Sequence, residues 1–147
     1  MNAKKIPVLI ADDSEDDHFF LKRAAGTLER LQIVGAVMDG DGVLAYLGGT
    51  APYGDRTLFP FPELLLLDLQ MPRRNGFEVL KWLQENGRAG AMTVVVVSGS
   101  QREEDIRKAL SLGADYYQAK PADVGSWTDM LKAIEFYASR HHRSPQT

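Results

Sequence analysis

The chain has 147 residues, 44% hydrophobic and 25% charged, which suits one globular domain with one core. A net charge of -3 gives no reason to expect a nucleic-acid surface, and with no cysteine there are no disulfides or thiolate metal sites. The apolar run at residues 6–11 is too short for a secretory signal, and no stretch reaches membrane-spanning length, so a cytoplasmic protein without a membrane partner is expected.

Residues 6–11 (IPVLIA) form the first expected strand. Its hydrogen-bonded part is expected from Val8, because proline is tolerated only near a strand's start. Asp12 and Asp13 end it. Ser14 followed by Asp17 resembles a capping box, so a helix starts there, with Phe20, Ala24, Leu28 and Leu31 at helical spacing and His18 exposed. Residues 32–38 (QIVGAVM) are the second strand. After the turn Asp39-Gly40-Asp41-Gly42, the residues Val43, Leu44 and Leu47 mark a short helix ending at Gly48-Gly49. Residues 48–62 are rich in Gly, Pro and aromatics and read as an extended loop, of a length that in compact domains is usually functional or mobile. Phe59 and Phe61 should pack down from it onto the body.

Leu64, Leu65, Leu66 and Leu67 then run unbroken between Pro62 and Pro72, and Asp68 comes next. So short an apolar run with no polar face reads as a strand buried on both sides. Arg73-Arg74-Asn75-Gly76 is a turn, and Phe77, Leu80, Leu83 and Trp82 mark the next helix. Residues 93–97 (TVVVV) are the clearest strand, ending at Ser98-Gly99-Ser100. Residues 101–112 are a polar helix with Ile106, Ala109 and Leu110 inward, favourable pairs Glu103/Arg107 and Glu104/Lys108, and Gly113 as its cap. Residues 115–119 are the last strand. Asp123 caps a final helix with Trp127, Met130, Leu131, Ile134 and Tyr137 on one side. His141 and His142 fall on different faces of its basic end, which complements the helix dipole, and residues 141–147 are an expected frayed tail.

Strand and helix thus alternate five times, which implies a doubly wound (βα)5 parallel sheet covered on both faces. In such a sheet the strand carboxyl ends share one edge, where α/β proteins place their chemistry. Asp12 and Asp13, Asp68, Ser98 and Lys120 all fall at strand ends. Two like charges ~4 Å apart repel by roughly 4 kcal/mol at an effective dielectric near 20, and one lysine offsets only part of that. A cation with oxygen ligands removes the conflict, and a few carboxylates completed by water and phosphate oxygens is the Mg²⁺ pattern. The remaining acid can then act as a nucleophile toward a phosphoryl group, with Lys120 and Ser98 stabilising its oxygens.

The acid pair Asp12-Asp13, the segment from Asp68 to Pro72 (DLQMP), Ser98-Gly99, and Ala114-Asp115-Tyr116-Tyr117 leading to Lys120-Pro121 resemble the response-regulator receiver domains of two-component signalling, over residues 5–138. Five motifs in order at the family's intervals make the resemblance specific. It implies a flavodoxin-like fold with strand order 2-1-3-4-5. It also implies phosphorylation of Asp68 by a sensor histidine kinase. Asp13, Asp12, Asp68 and the main-chain carbonyl of Gln70 would hold Mg²⁺ or Mn²⁺, and Lys120 would pair with the phosphoryl group across a cis bond to Pro121. Ser98 and Tyr117 would be the switch pair. Gln70 and Ser100 would border the attacking water and tune the phosphoryl lifetime. The output surface would be the fourth helix, fifth strand and fifth helix.

The long interval from Asp13 to Asp68, with its surplus in residues 48–62, looks like the stand-alone response regulators associated with bacterial phytochromes. That likeness implies a single receiver domain over residues 1–147, a bacteriophytochrome as the kinase, and a homodimer. Two other readings are weaker. A phosphatase with an aspartyl nucleophile needs a second acid two residues on, where this chain has Gln70. A pseudo-receiver that binds without phosphate is disfavoured by the complete set of acids, hydroxyl and lysine.

Overall fold

The computed structural model of the chain describes residues 4–87 and 92–140, so the expected tail with His141 and His142 lies outside the described residues. The strands are β1 (Ile6–Ala11), β2 (Leu31–Val37), β3 (Leu64–Leu67), β4 (Thr93–Ser98) and β5 (Tyr116–Ala119). They alternate with α1 (Glu15–Gly26), α2 (Gly40–Gly48), α3 (Gly76–Asn86), α4 (Glu103–Ser111) and α5 (Ser126–Arg140). All pairings are parallel and the order is β2-β1-β3-β4-β5, the flavodoxin-like arrangement expected.

The leucine run explains why the sheet holds together. Successive strand side chains point to opposite faces, so Leu65 and Leu67 join one core with Leu9, Val94 and Val96, under α2 and α3. Leu64 and Leu66 join the other with Val8, Ile10, Val95 and Val97, under α1 and α5. Neither face meets water, and all four leucines are buried.

Several local expectations are corrected. β1 starts at Ile6, whose N–H donates to Arg30 O at 2.6 Å. Pro7 is tolerated because its carbonyl accepts from Glu63 N at 2.9 Å, so its missing N–H points to the β3 side, ahead of where β3 begins. α1 stops at Gly26 and buries His18, Leu21, Ala24 and Ala25, while Leu31 already belongs to β2. On α4 only Ala109 is buried, and Leu110 is 45% exposed, because this helix covers the rim of the sheet beside β5. The Glu103/Arg107 pair forms at 2.6 Å. Glu104 pairs with Arg102 instead of Lys108, whose ammonium lies 4.4 Å from the Phe77 ring centroid.

The loop at residues 48–62 is built around Arg56. Its guanidinium donates to Leu47 O at 3.1 Å and Phe59 O at 3.2 Å, and it lies over the Tyr46 and Phe61 rings. Tyr46, fully buried, donates its hydroxyl to Pro60 O at 2.9 Å and packs against Tyr53 and Phe59. The loop leads into the start of β3, so it covers the amino edge of the sheet, opposite the strand carboxyl ends.

Gly76 opens α3 directly beneath the strand end that carries Asp68. A Cβ there would collide with the Asp68 carbonyl oxygen and lie 2.8 Å from Leu69 Cα. Gly76→Ala should therefore cost about 2 kcal/mol in urea denaturation. Gly26→Ala, where nothing lies within 4 Å, should stabilise by ~0.5 kcal/mol.

Candidate functional site

The register pairs Ala11 with Leu67 and Leu67 with Val96, which sets the carboxyl ends of β1, β3 and β4 side by side. Asp12 comes directly after β1, Asp68 directly after β3, and Ser98 closes β4; all three are buried. Lys120 comes from the end of β5, where its N–H donates to Ser98 O at 2.8 Å. Its Nζ then lies 2.9 Å from Asp12 Oδ2, 2.7 Å from Asp17 Oδ2 and 3.0 Å from Asp68 Oδ2. An ammonium has three donors, and here each has its own carboxylate.

One lysine does not balance the site. Asp12, exposed Asp13 and Asp68 bring carboxylate oxygens within 4.8 Å of one another. Burial, chiefly, pushes the Asp12 carboxyl above its ordinary 3.8; the Asp68 charge adds to that, while the Ser14 N–H and Lys120 pull the other way. Burial also works against the Lys120 charge, but hydrogen bonds to Asp17, Asp12 and Asp68 outweigh it and hold the ammonium above the ordinary lysine value. Linkage gives the sign: the lysine's contribution to folding is complete below pH 10.5 and is lost only as pH rises through the raised folded value. An all-oxygen, net-negative cluster of this kind fits a hard divalent cation.

Two residues of the site were not anticipated. Ser14 does cap α1, its Oγ accepting from Asp17 N at 3.2 Å. The other half of the expected box is absent, because the Ser14 N–H is taken by Asp12 Oδ1 at 2.9 Å. The Asp17 carboxylate turns to Lys120 instead. The signal available in the sequence was position: Asp17 lies four residues after Asp13, one turn along the same helix start. His18, expected exposed, is buried, and its Nε2 donates to the Asp12 carbonyl at 2.7 Å. The side of α1 that faces the strand ends is thus polar, and α1 buries its apolar residues elsewhere.

Gln70 presents an exposed side chain at the rim, and its N–H donates to Asp68 Oδ1 at 3.3 Å. The loop that carries it is tied to α2. Arg73, at φ 65°, pairs with Asp39; Arg74 Nε lies 2.7 Å from Asp41 Oδ1; and Gly40 N donates to Arg74 O at 3.0 Å. Ser98 Oγ accepts from Ser100 N at 3.2 Å, and half-buried Tyr117 donates its hydroxyl to Ser100 O at 2.7 Å. The Ser100 hydroxyl is turned to α4, donating to Asp105 Oδ2 at 2.6 Å. The cis Lys120–Pro121 bond implied by the resemblance is not found: among the described residues the cis bond is Ala51–Pro52. Trans is the lower-energy form by about 0.5–1 kcal/mol before proline, and with it Lys120 already reaches three carboxylates.

Removing the ammonium leaves the buried carboxylates of Asp12 and Asp68 without their positive partner. Lys120→Met should cost about 3 kcal/mol in chelator-containing buffer. Added Mg²⁺ should raise the Tm of this variant by more than it raises that of the unaltered chain, as thermal melts will show.

The family model described as "Response regulator receiver domain" matches residues 8–132. The chain is 31% identical over 141 residues to "Probable methanogenesis regulatory protein FilR2" of Methanothrix harundinacea, covering 94% of this chain and 86% of that one. It is 27% identical over 132 residues to response regulator Rcp1 of Synechocystis, covering 88% and 86%. The Mn²⁺-bound structure of Rcp1 superposes with a TM-score of 0.79 at 26% identity, covering 96% and 99%. The phosphorylated cyanobacterial phytochrome response regulator RcpA also gives 0.79 at 26% identity, covering 90% and 93%. With the strand order and the strand-end acids, hydroxyl and lysine already in place, the match over most of its length shows that this chain belongs to the response regulator receiver domain family.

Proposed function

We propose that Asp68 accepts a phosphoryl group from the phosphohistidine of a sensor histidine kinase, and that the phosphorylated chain passes the signal on by binding a partner. The observation that carries this reading is the Lys120 ammonium set 3.0 Å from a buried Asp68 carboxylate, beside two further acids at the strand edge. An Asp68 oxygen attacks phosphorus; the new O–P bond forms as the P–N bond to the donor imidazole breaks, and the electron pair leaves with the ring nitrogen. Lys120 neutralises charge on the transferring oxygens, and Ser98 donates to one of them after giving up its contact with Ser100 N. Asp13, Asp12, Asp68 and the Gln70 carbonyl would hold Mg²⁺ or Mn²⁺, which when bound draws charge off the phosphoryl oxygens. The Mn²⁺-bound state of Rcp1 and the phosphorylated state of RcpA support the transfer of both properties to this chain.

The added phosphoryl group brings about -1.5 to -2 charge to one point. Ser98 and Tyr117 both contact Ser100, so a movement of the Ser98 hydroxyl is felt at the Tyr117 ring through one loop. The surface beyond it carries exposed Leu110, Tyr116 and Phe136, apolar groups available to a partner of the α4–β5–α5 face. Gln70 at the rim and Ser100 in that loop are placed to tune the phosphoryl lifetime. The similarity to RcpA favours a bacteriophytochrome as the kinase, and a kinase of that kind puts the chain in the cytoplasm.

Incubation with acetyl phosphate and Mg²⁺ should give one phosphate adduct by mass spectrometry, and Asp68→Asn should give none. An adduct that survives the substitution contradicts the assignment of Asp68.

A further inference from the structure

Asp17 stands apart from the other acids around Lys120. Its oxygen is the nearest of the three to Nζ, at 2.7 Å, yet it does not belong to the cluster of Asp12, Asp13 and Asp68 whose oxygens converge. It comes from a different segment, the first turn of α1. We infer that Asp17 is a positioning residue: it anchors the Lys120 ammonium at the site while phosphoryl transfer removes the lysine's other two partners. The inference rests on the reading of Asp68 as the phosphoacceptor.

Lys120 has three donors and three carboxylates, so it can reach a phosphoryl oxygen only by giving one up. When Asp68 attacks phosphorus, its oxygen becomes the bridging oxygen of an acyl phosphate and the carboxyl group loses its own charge. Asp12 shares its charge with a divalent cation once one is bound. Both changes loosen the lysine. Neither touches Asp17, which keeps a full negative charge against the ammonium and leaves the freed donors aimed toward Asp68. A lysine is a point charge on a flexible four-carbon stem, and an anchor at its tip is what fixes its direction.

Asp17 is itself well fixed. Its N–H is held by Ser14 Oγ, and the Ser14 N–H is held by Asp12 Oδ1, so the anchor and the end of β1 share one short network. The Lys120 and Asp17 side chains are each only 18% exposed, so water competes weakly for the pair. Ordinary surface pairs contribute little because they are solvated and loosely held; this one is neither.

The test is a double-mutant cycle on the rate of adduct formation with acetyl phosphate at saturating Mg²⁺, with urea denaturation confirming that each variant is folded. Asp17→Ala should slow the reaction about tenfold, the lower end of what partners that orient a reactive group are worth. Asp17→Asn, which keeps an acceptor but not the charge, should fall between, and it replaces Asp17→Ala if that variant does not fold. Combined with Lys120→Ala, neither Asp17 substitution should slow the reaction further. An unchanged rate in the Asp17 variants, or losses that multiply with that of Lys120→Ala, overturns the anchor while leaving the phosphoacceptor reading intact. Absence of an adduct on the unaltered chain overturns both.

Discussion

The Lys120 ammonium touches carboxylates from three separate segments: the end of β1, the end of β3 and the first turn of α1. Everything at the site is arranged around that contact. Two of the acids are buried, so each needs a positive partner, and a single lysine supplies it for both. With Asp13 at the rim the edge still carries excess negative charge. That excess is the property a divalent cation and a phosphoryl transfer both exploit: the first adds the missing positive charge, and the second brings new oxygens for the lysine to hold.

The contact is possible because the sheet is rigid where it matters. β3 has no polar residue and no exposed face, so its register with β1 and β4 is fixed by packing on both sides, and Asp68 emerges at one place. Gly76 lets α3 start directly against the Asp68 backbone. The loop between them is held to α2 by Arg73 and Arg74, at the expense of a left-handed conformation at Arg73 that costs roughly 1–2 kcal/mol. The chain thus accepts strain beside the site to keep the Gln70 segment in position. Residues 48–62 serve the opposite edge, where Arg56 and Tyr46 knit them to the first core.

Much of the fold and of the site was legible in the sequence because the strands carry strong signals. A leucine or valine run too short for a helix reads as a strand buried on both faces, and the polar residue at its end must lie at the sheet edge; Asp68 and Ser98 were found that way, while Asp12 and Lys120 were found as the polar residues that follow the first and last strands of the alternating pattern. The parts that were not legible depend on which way a helix turns. Asp17 looked like half of a capping box, and nothing local says that Asp12 already occupies the Ser14 N–H. His18 looked exposed because its partner is a carbonyl, which no sequence pattern marks. Leu110 has the spacing of a core residue but sits on a helix with little sheet beneath it.

The most direct test is a structure of the chain with Mg²⁺ and beryllofluoride. Beryllium should sit on an Asp68 oxygen, with the ion among Asp13, Asp12, Asp68 and the Gln70 carbonyl. Lys120 Nζ should have shifted from Asp12 and Asp68 to a fluoride while still in contact with Asp17. A lysine turned out to solvent, or one still held by Asp12 and Asp68 with no contact to fluoride, would contradict the central role given to that ammonium.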